Sequence, residues 1–252
     1  MKSSSFWLTS KKLILVAHRG GDGAGTGKEN TLIAFKTAQK AGYEYGETDV
    51  VLTADGQVIA IHGTRNKIDS LFKKGRTPRS LLQKMTLAEI RNKIKIDGET
   101  VPLLEELLKA QPKMKFFIDA KTDEVVEPLA KVLKDLKAVN RVCVDTFSYP
   151  RLQRLIKCLG PLEPATCVNI GRSARIKNKN LDLLKQGKLK VDGVHLHHSL
   201  VSKQMIDLLH SKGIKVLVWT CNSPLSIMNA AKSGADGIIS DRLELLDQVL
   251  AR

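Results

Sequence analysis

The chain has 252 residues, of which 42% are hydrophobic and 27% charged, a composition typical of a water-soluble globular protein that can bury a substantial core. Its 41 Lys and Arg residues against 26 Asp and Glu residues give a formal net charge of +15. This excess favours anionic partners such as phosphate esters, nucleic acid or acidic membrane surfaces; the alternative is a solvated basic surface. The apolar run at 13–17 is too short for a signal peptide or a membrane span.

The cysteine pattern excludes the common thiolate metal sites. Cys143, Cys158, Cys167 and Cys221 lie far apart without a CxxC pair. Three of them fall in apolar stretches, where Cys usually packs as a small hydrophobic residue. We therefore expect reduced thiols and a cytoplasmic location.

Short apolar runs alternate with segments of helical period along the chain, which is typical of β/α units around a parallel sheet. The predicted strands are 13–17, 45–52, 57–61, 115–120, 141–147, 165–170, 193–197, 215–220 and 237–240. The predicted helices are 31–41, 102–111, 125–137, 150–159, 181–186, 203–211, 225–233 and 243–251. If 57–61, after the turn Asp55-Gly56, extends the second strand, eight strands alternate with eight helices. This alternation favours an α/β fold with a (β/α)8 TIM barrel as a single domain, 1–252, over a doubly wound open sheet.

A basic insertion is predicted after the second strand, at 63–85. It contains seven Lys and Arg residues and one acid, Asp69. Long segments without periodicity are usually functional or disordered. A second basic segment, 172–179, follows the fifth barrel strand. Both should leave the barrel end that carries the active site in such enzymes, so we expect a basic mouth for an anionic substrate.

Carboxylates converge in the predicted upper barrel. Glu47 and Asp49 are two residues apart on one strand, so their side chains point to the same side. If that side is the interior, the carboxylates repel unless a cation lies between them. Asp119, with Lys121 just beyond it, can add a third carboxylate, and oxygen ligands suit Mg2+ or Ca2+. The alternative is that Glu47 and Asp49 face solvent on an edge strand.

His18 and His62 each end an apolar strand close to a glycine. An imidazole at such a strand end is suited to proton transfer at a pocket mouth. His195, His197 and His198 close a later strand; one of them can line the same pocket, or all three can pack structurally. The glycine-rich segment 20–27 lacks the register of a nucleotide-binding loop.

The blocks HRG, ENTLIAF and GETDVVLTADGQVIAIH, followed in order by VPLLEELL, FFIDAK, VDTFS, KVLVWTCN and GADGIISD, resemble the glycerophosphodiester phosphodiesterase family. The resemblance covers about residues 13–242. It implies a (β/α)8 barrel that hydrolyses glycerophosphodiesters to glycerol 3-phosphate and an alcohol. The site residues that it implies are His18 and His62 as the catalytic pair, Glu47, Asp49 and Asp119 as ligands of a divalent metal ion (Mg2+ or Ca2+), and Arg19, Lys121 and Trp219 as substrate-binding residues.

The family mechanism implied by this resemblance begins with attack of the substrate's own 2-hydroxyl on phosphorus. The resulting cyclic phosphate is then opened by water. One histidine acts as base and the other as acid in each step. The sequence leaves open which of His18 and His62 takes which role first.

The chain departs from the family pattern at four positions. Asp119 stands where Glu is usual, and Gly63 replaces the Asp that normally follows the second histidine. Lys28 replaces the usual Pro before ENT, and Cys221 replaces a Val. None of these changes removes a proton-transfer group, and the first two bear on metal preference and efficiency.

Two other functions stay open. The first is a lysophospholipase D or phospholipase D-like hydrolase, whose lipid substrate would contact Leu71, Phe72, Leu81 and Leu82. The second is a catalytically degenerate barrel that binds anionic lipid or nucleic acid, against which the retained histidines and carboxylates argue. We expect a small glycerophosphodiester as substrate, with peripheral contact to anionic lipid, no nucleic acid and no transmembrane segment.

Overall fold

The computed structural model describes residues 6–7, 13–21, 28–63, 69–70, 79–171 and 177–251. The strands are β1 (Ile14–His18), β2 (Tyr45–Leu52), β3 (Val58–Ala60), β4 (Asp69–Ser70), β5 (Ile94–Ile96), β6 (Glu99–Thr100), β7 (Lys115–Ala120), β8 (Val142–Asp145), β9 (Ala165–Ile170), β10 (Gly193–His197), β11 (Lys215–Trp219) and β12 (Gly237–Ser240). The helices are α1 (Leu32–Lys40), α2 (Arg79–Leu82), α3 (Leu87–Lys93), α4 (Leu104–Ala110), α5 (Val126–Asp135), α6 (Tyr149–Leu159), α7 (Lys177–Lys185), α8 (Lys203–His210), α9 (Pro224–Lys232) and α10 (Leu243–Val249). Short 3-10 turns lie at Val139–Arg141, Gly160–Leu162 and His198–Leu200.

The described residues form a closed barrel of eight parallel strands. The ring order is β1, β2, β7, β8, β9, β10, β11 and β12, and β12 pairs with β1 again. Where the ring closes, Val16 of β1 lies beside Tyr45 of β2 on one side and beside Ile239 of β12 on the other. The predicted (β/α)8 barrel is confirmed, and five predicted strands have the observed bounds: 45–52, 115–120, 165–170, 193–197 and 237–240.

The prediction that 57–61 extends the second strand is wrong. β3 runs antiparallel to β2, with Val58 beside Leu52. The reversal is a tight turn in which the Gly56 amide donates to the Thr53 carbonyl oxygen at 3.1 Å, and Gly56 has φ +75°. A positive φ costs glycine little, and the short turn folds the chain back on itself. His62 therefore reaches the site from a returning strand.

A small outer layer follows β3. It consists of α2, α3 and the antiparallel sheet β4-β5-β6, over a separate apolar cluster that includes Ile59, Ile61 and fully buried Leu82. Thr86 and Glu89 form a capping box that begins α3, because each satisfies a backbone N–H of the first turn. The predicted basic insertion is thus partly regular. Residues 64–68, 71–78 and 172–176, which carry much of the predicted basic mouth, lie outside the described residues.

The two faces of the barrel strands have different partners. Outward residues such as Leu15 and Ile118 pack against the helices in the large core cluster. Inward residues alternate with them, and those near the amino-terminal end, including Val16, Phe117 and Leu217, form an apolar plug with Phe6. The inward positions nearest the carboxyl ends of the strands are mostly polar. Polar chemistry is therefore confined to the upper end of the barrel.

The four cysteines lie in or beside the packed core. Cys143, Cys167 and Cys221 are buried and Cys158 is partly buried, and none of the four is in a disulfide among the residues described. Within the described residues, no helix is both long enough and apolar enough to cross a lipid bilayer.

Candidate active site

The upper end of the barrel encloses a cavity of about 600 Å3. All eight predicted site residues line it: His18, Arg19, Glu47, Asp49, His62, Asp119, Lys121 and Trp219. The wall also includes His195, for which the sequence left two interpretations open, and residues not assigned from the sequence: Arg79, Phe147, Ser148, Arg151, Asn169 and Ile239. Side chains from both ends of the chain and from the returning strand β3 therefore meet in one place.

His18 is the last residue of β1 and lies between two carboxylates. Its Nδ1 hydrogen-bonds Oδ1 of Asp241, which directly follows β12, and its Nε2 lies 3.6 Å from Oε2 of Glu47. Burial and the neighbouring Arg19 lower the pKa of His18, but Glu47 and Asp241 outweigh them, and the pKa is raised above 6.5. The ring is therefore oriented by Asp241 and favoured as the imidazolium.

Asp241 was missed as a site residue in the sequence. The signal was its place directly after GIIS, on the same inward alternation as Ile239. Its other oxygen accepts a hydrogen bond from Nδ2 of Asn222 at 2.6 Å. The Asp241 amide donates to Oδ1 of Asn222 at 3.0 Å, so one side-chain amide binds both the carboxylate and the backbone of Asp241.

His62 has the opposite electrostatic surroundings. Nη2 of Arg79 lies 3.4 Å from its Nε2, and Nε of Arg79 donates to its backbone oxygen at 2.9 Å. Burial lowers the pKa of His62; Asp49 opposes this, but Arg19, Lys121 and Arg79 reinforce it, and the pKa falls to about 3. His62 is therefore neutral in the pH range where His18 is favoured as a cation.

Glu47, Asp49 and Asp119 are buried inside the barrel, with Asp49 directly beside Asp119 across β2 and β7. Glu47 and Asp49 are only 5% and 1% exposed, so the alternative that they face solvent is wrong. Burial, with Asp49 nearby, raises the pKa of Glu47 to about 8. Burial also raises the pKa of Asp119 to about 6, against the opposing charge of Lys121. Without further positive charge, Glu47 is therefore mostly protonated at neutral pH, whereas Asp119 is mostly ionised.

Two cations contact these acids directly. Nζ of Lys121 contacts both Asp49 and Asp119, and Nε of Arg19 lies 2.9 Å from Oδ2 of Asp49. Burial alone would raise the pKa of Asp49, but Lys121 and Arg19 hold it well below its usual range. Nη1 of Arg19 also pairs with Glu29 at 2.8 Å, so the guanidinium is fixed in place.

The donor set fits a divalent cation. Glu47, Asp49 and Asp119 offer only oxygen ligands, which Mg2+ and Ca2+ prefer. Oδ1 of Asp119 is buried and has no hydrogen-bond partner in the described part of the chain. No group of three His, Cys, Asp or Glu residues is arranged there as a formed metal site, and Lys121 contacts two of the three carboxylates. These oxygen donors therefore suit a divalent ion, and Lys121 neutralises part of their negative charge.

A second buried network supports Asp119. Nδ2 of Asn169 donates to Oδ2 of Asp145 at 3.1 Å and lies 3.5 Å from Oδ2 of Asp119. Asp145 in turn lies 2.7 Å from Nδ1 of His195. His195 thus lines the cavity, as one of the two sequence interpretations allowed, and is also held in a structural ion pair. The histidines that follow it differ, since His197 is partly buried and His198 is exposed.

Trp219 forms an aromatic wall of the cavity. Its Nε1 donates to the His195 carbonyl oxygen at 2.9 Å. Its ring meets Phe147 edge to face, with centroids 5.7 Å apart. This fixed pair adds apolar surface to a cavity otherwise lined by charged groups, an arrangement that suits the carbon portion of a small polar ligand.

Comparison with known proteins identifies the family. The model of the glycerophosphoryl diester phosphodiesterase family matches residues 18–245. A glycerophosphodiester phosphodiesterase of Caldanaerobacter subterraneus subsp. tengcongensis is 24% identical over 249 residues, which cover 93% of this chain and 96% of that protein.

Two solved structures share the fold. An Oleispira antarctica phosphodiesterase in complex with the product sn-glycerol-3-phosphate has a TM-score of 0.75 and 23% identity, with 100% of both chains covered. The Thermotoga maritima glycerophosphodiester phosphodiesterase has a TM-score of 0.73 and 22% identity, covering 96% of this chain and 99% of that one. With the family match spanning nearly the whole barrel, the chain belongs to the glycerophosphoryl diester phosphodiesterase family and is a phosphoric diester hydrolase.

Proposed function

We propose that this enzyme hydrolyses glycerophosphodiesters to glycerol 3-phosphate and an alcohol, with His62 as the base and His18 as the acid of the first step. The observation that carries this proposal is the contrast between the two imidazoles. His18 is hydrogen-bonded to the carboxylate of Asp241, whereas His62 lies against the guanidinium of Arg79. A carboxylate partner favours an imidazolium, and a guanidinium partner favours a neutral ring.

In the first step, neutral His62 takes the proton of the substrate's 2-hydroxyl as that oxygen bonds to phosphorus. The bond from phosphorus to the leaving alcohol breaks, and His18 donates its proton to the departing oxygen. In the second step the roles exchange. His18 takes a proton from water, whose oxygen attacks the cyclic phosphate, and His62 returns its proton to the released 2-oxygen.

Arg19 and Lys121 are proposed to stabilise the negative charge that develops on the phosphoryl oxygens. Both cations line the cavity and are held by buried acids. Because they are already oriented, they need little reorganisation as the charge develops. Trp219 and Phe147 would pack against the carbon portion of the substrate.

A divalent ion, Mg2+ or Ca2+, would be held by Glu47, Asp49 and Asp119. When bound, it would balance the phosphoryl charge and lower the pKa of the attacking hydroxyl. The all-oxygen donor set and the unpartnered Oδ1 of Asp119 support this assignment. So do the raised pKa values of Glu47 and Asp119, because an added cation would favour their ionised forms.

The product complex of the Oleispira antarctica protein supports glycerol 3-phosphate as the product here as well. The lipid alternative gains no support from Leu82, which is fully buried in the outer cluster, while Leu71 and Phe72 lie outside the described residues. Because the family match spans 18–245, we propose a single domain over 1–252. A cytoplasmic location and peripheral contact with anionic lipid remain predictions from the sequence.

The test is release of glycerol 3-phosphate from a panel of glycerophosphodiesters, with lysophosphatidylcholine in parallel, in the presence of Mg2+ or Ca2+. His18→Ala and His62→Ala should each abolish most turnover. His198→Ala is the matched control because His198 is exposed and does not line the cavity. The proposal fails if no glycerophosphodiester yields glycerol 3-phosphate, and lysophosphatidylcholine as the preferred substrate would replace it with the lipid alternative.

A further inference from the structure

Among the described residues, Arg79 differs from the other cations of the cavity because no acidic side chain pairs with it. Arg19 and Lys121 each contact buried carboxylates, and Arg151 pairs with Asp123 at 2.7 Å. In the described part of the chain, no Asp or Glu forms an ion pair with Arg79. Its two hydrogen-bond contacts within these residues are both to His62. In this part of the structure the guanidinium therefore lines the cavity and contacts one imidazole.

The two contacts hold His62 at two points. Nε of Arg79 donates to the His62 backbone oxygen at 2.9 Å, which anchors the guanidinium. Nη2 of the same group lies 3.4 Å from Nε2 of the ring. A guanidinium this close disfavours a proton on the ring, so the neutral imidazole is favoured. The two contacts thus anchor the His62 backbone and favour the neutral ring.

Gly63 leaves room for this arrangement. A Cβ atom at position 63 would lie 2.8 Å from Cγ of Arg79 and 3.1 Å from Cδ1 of Leu82. Leu82 is fully buried and Cγ of Arg79 is close to its own backbone, so neither atom can move cheaply. Any side chain at position 63 would therefore displace the Arg79 side chain from His62.

We propose that Arg79 is a positioning residue that holds the His62 imidazole for proton abstraction, and that this role requires glycine at position 63. The inference rests on the proposed function, in which His62 is the base of the first step. Among the described residues, the charged groups with the largest effect on the pKa of His62 are Asp49 from β2, Arg19 after β1, Lys121 after β7 and Arg79 from α2. Asp49 is the acid of this set, so removing Arg79 leaves His62 more strongly under its influence.

The first experiment compares Arg79→Gln with Arg79→Lys, both with saturating Mg2+ or Ca2+. Arg79→Gln should lower kcat/KM at pH 7 by about 10-fold or more, and the acid limb of its pH profile should move to higher pH. Arg79→Lys keeps the positive charge but loses the forked guanidinium. Its acid limb should therefore lie close to that of wild type, while its kcat/KM stays lower. Arg154→Gln, an exposed arginine of α6 paired with Glu127, is the matched control and should leave both unchanged.

Titration of the His62 ring by NMR, in wild type and Arg79→Gln, separates this inference from the proposed function. A higher titration midpoint in the variant supports the positioning role whether or not glycerophosphodiesters are the substrate. An unchanged midpoint together with an unchanged limb would overturn it, because Arg79 would then only contact the substrate. Absence of glycerol 3-phosphate release by the wild-type enzyme would reject the proposed function alone.

The second experiment tests Gly63 against a glycine with the same φ angle. Gly63 and Gly56 both have φ +75°, but a Cβ at Gly56 would meet nothing within 4 Å. Gly63→Ala and Gly56→Ala should therefore share the cost of backbone strain. Gly63→Ala should in addition reproduce the pH shift of Arg79→Gln, and the double variant should lose little more. A Gly63→Ala enzyme whose pH profile matches that of Gly56→Ala would refute the role of Gly63.

Discussion

His18 and Asp241 are 223 residues apart in the sequence and are hydrogen-bonded through Nδ1 and Oδ1. They meet because β1 and β12 are neighbours in the closed barrel, with Ala17 beside Ser240. Closure of the barrel thus brings the Asp241 carboxylate to the His18 imidazole. An exposed pair of this kind contributes little, whereas a partly buried carboxylate such as Asp241 can orient the ring and stabilise its charged form.

Replacing Asp241 with Asn should slow the enzyme by removing this charge at nearly constant shape. We expect kcat/KM to fall about 10- to 100-fold, because His18 loses part of its value as an acid. The alkaline limb of the pH profile should move to lower pH, since Asp241 raises the pKa of His18. Steady-state kinetics across pH measure both effects. Asp207→Asn, an exposed helical acid, is the control, and equal rates in the two variants would contradict the assignment.

The acid and base roles can be separated with leaving groups. A nitrophenyl diester needs little protonation of its leaving oxygen, whereas a choline or glycerol diester needs it fully. His18→Ala should lose about 100-fold or more on the poor leaving group and far less on the nitrophenyl one. His62→Ala should lose similar factors on both. Rescue of His62→Ala by the nitrophenyl group would show that the two roles are reversed.

Asp119 is expected to bind the metal with a shorter side chain than the family pattern has. Asp119→Glu should keep or improve activity, whereas Asp119→Asn should lower kcat/KM about 10-fold or more. The melting temperature should fall on chelation and recover with Mg2+ or Ca2+ in the wild type, because an ion that binds the folded state stabilises it. Asp135→Asn on α5 serves as control. Full activity of an exhaustively chelated enzyme, with no metal by elemental analysis, would rule out the ion.

Asp236 provides a pH-dependent contribution to stability away from the site. It contacts Nζ of Lys215 at 2.9 Å, Nε2 of His210 at 2.8 Å and the Val216 amide at 2.8 Å. Burial raises its pKa, but these donors outweigh burial, and the pKa lies below the ordinary 3.8. The stabilisation is therefore fully present above about pH 3.8 and is lost as pH falls through the folded-state pKa.

Asp236→Asn should accordingly lower the free energy of unfolding by about 1–2 kcal/mol at pH 7. The difference in the free energy of unfolding from wild type should stay nearly constant down to about pH 5. It should disappear as the pH falls below the unfolded-state pKa of about 3.9. Urea unfolding at a series of pH values measures it. Asp207→Asn, which breaks the exposed pair with Lys203, should leave the free energy of unfolding almost unchanged. A difference between Asp236→Asn and wild type that grows as the pH falls would contradict the argument.

Much of the site was predictable from the sequence because strand geometry is local. Side chains alternate between the two faces of a strand, so the spacing of Glu47 and Asp49 already required a common side. The apolar runs marked the strands well enough to place His18 and Asp119 at their carboxyl ends. The family blocks then agreed with this placement residue by residue.

The tertiary structure decided which groups face each other. Only the antiparallel return of β3 places His62 beside Arg79, and only closure of the ring places Asp241 beside His18. The opposite pKa shifts of the two histidines follow from these neighbours and from burial, since a charge a few ångströms away changes the free energy of protonation. Such distances depend on how remote segments pack, and no local periodicity in the chain encodes them.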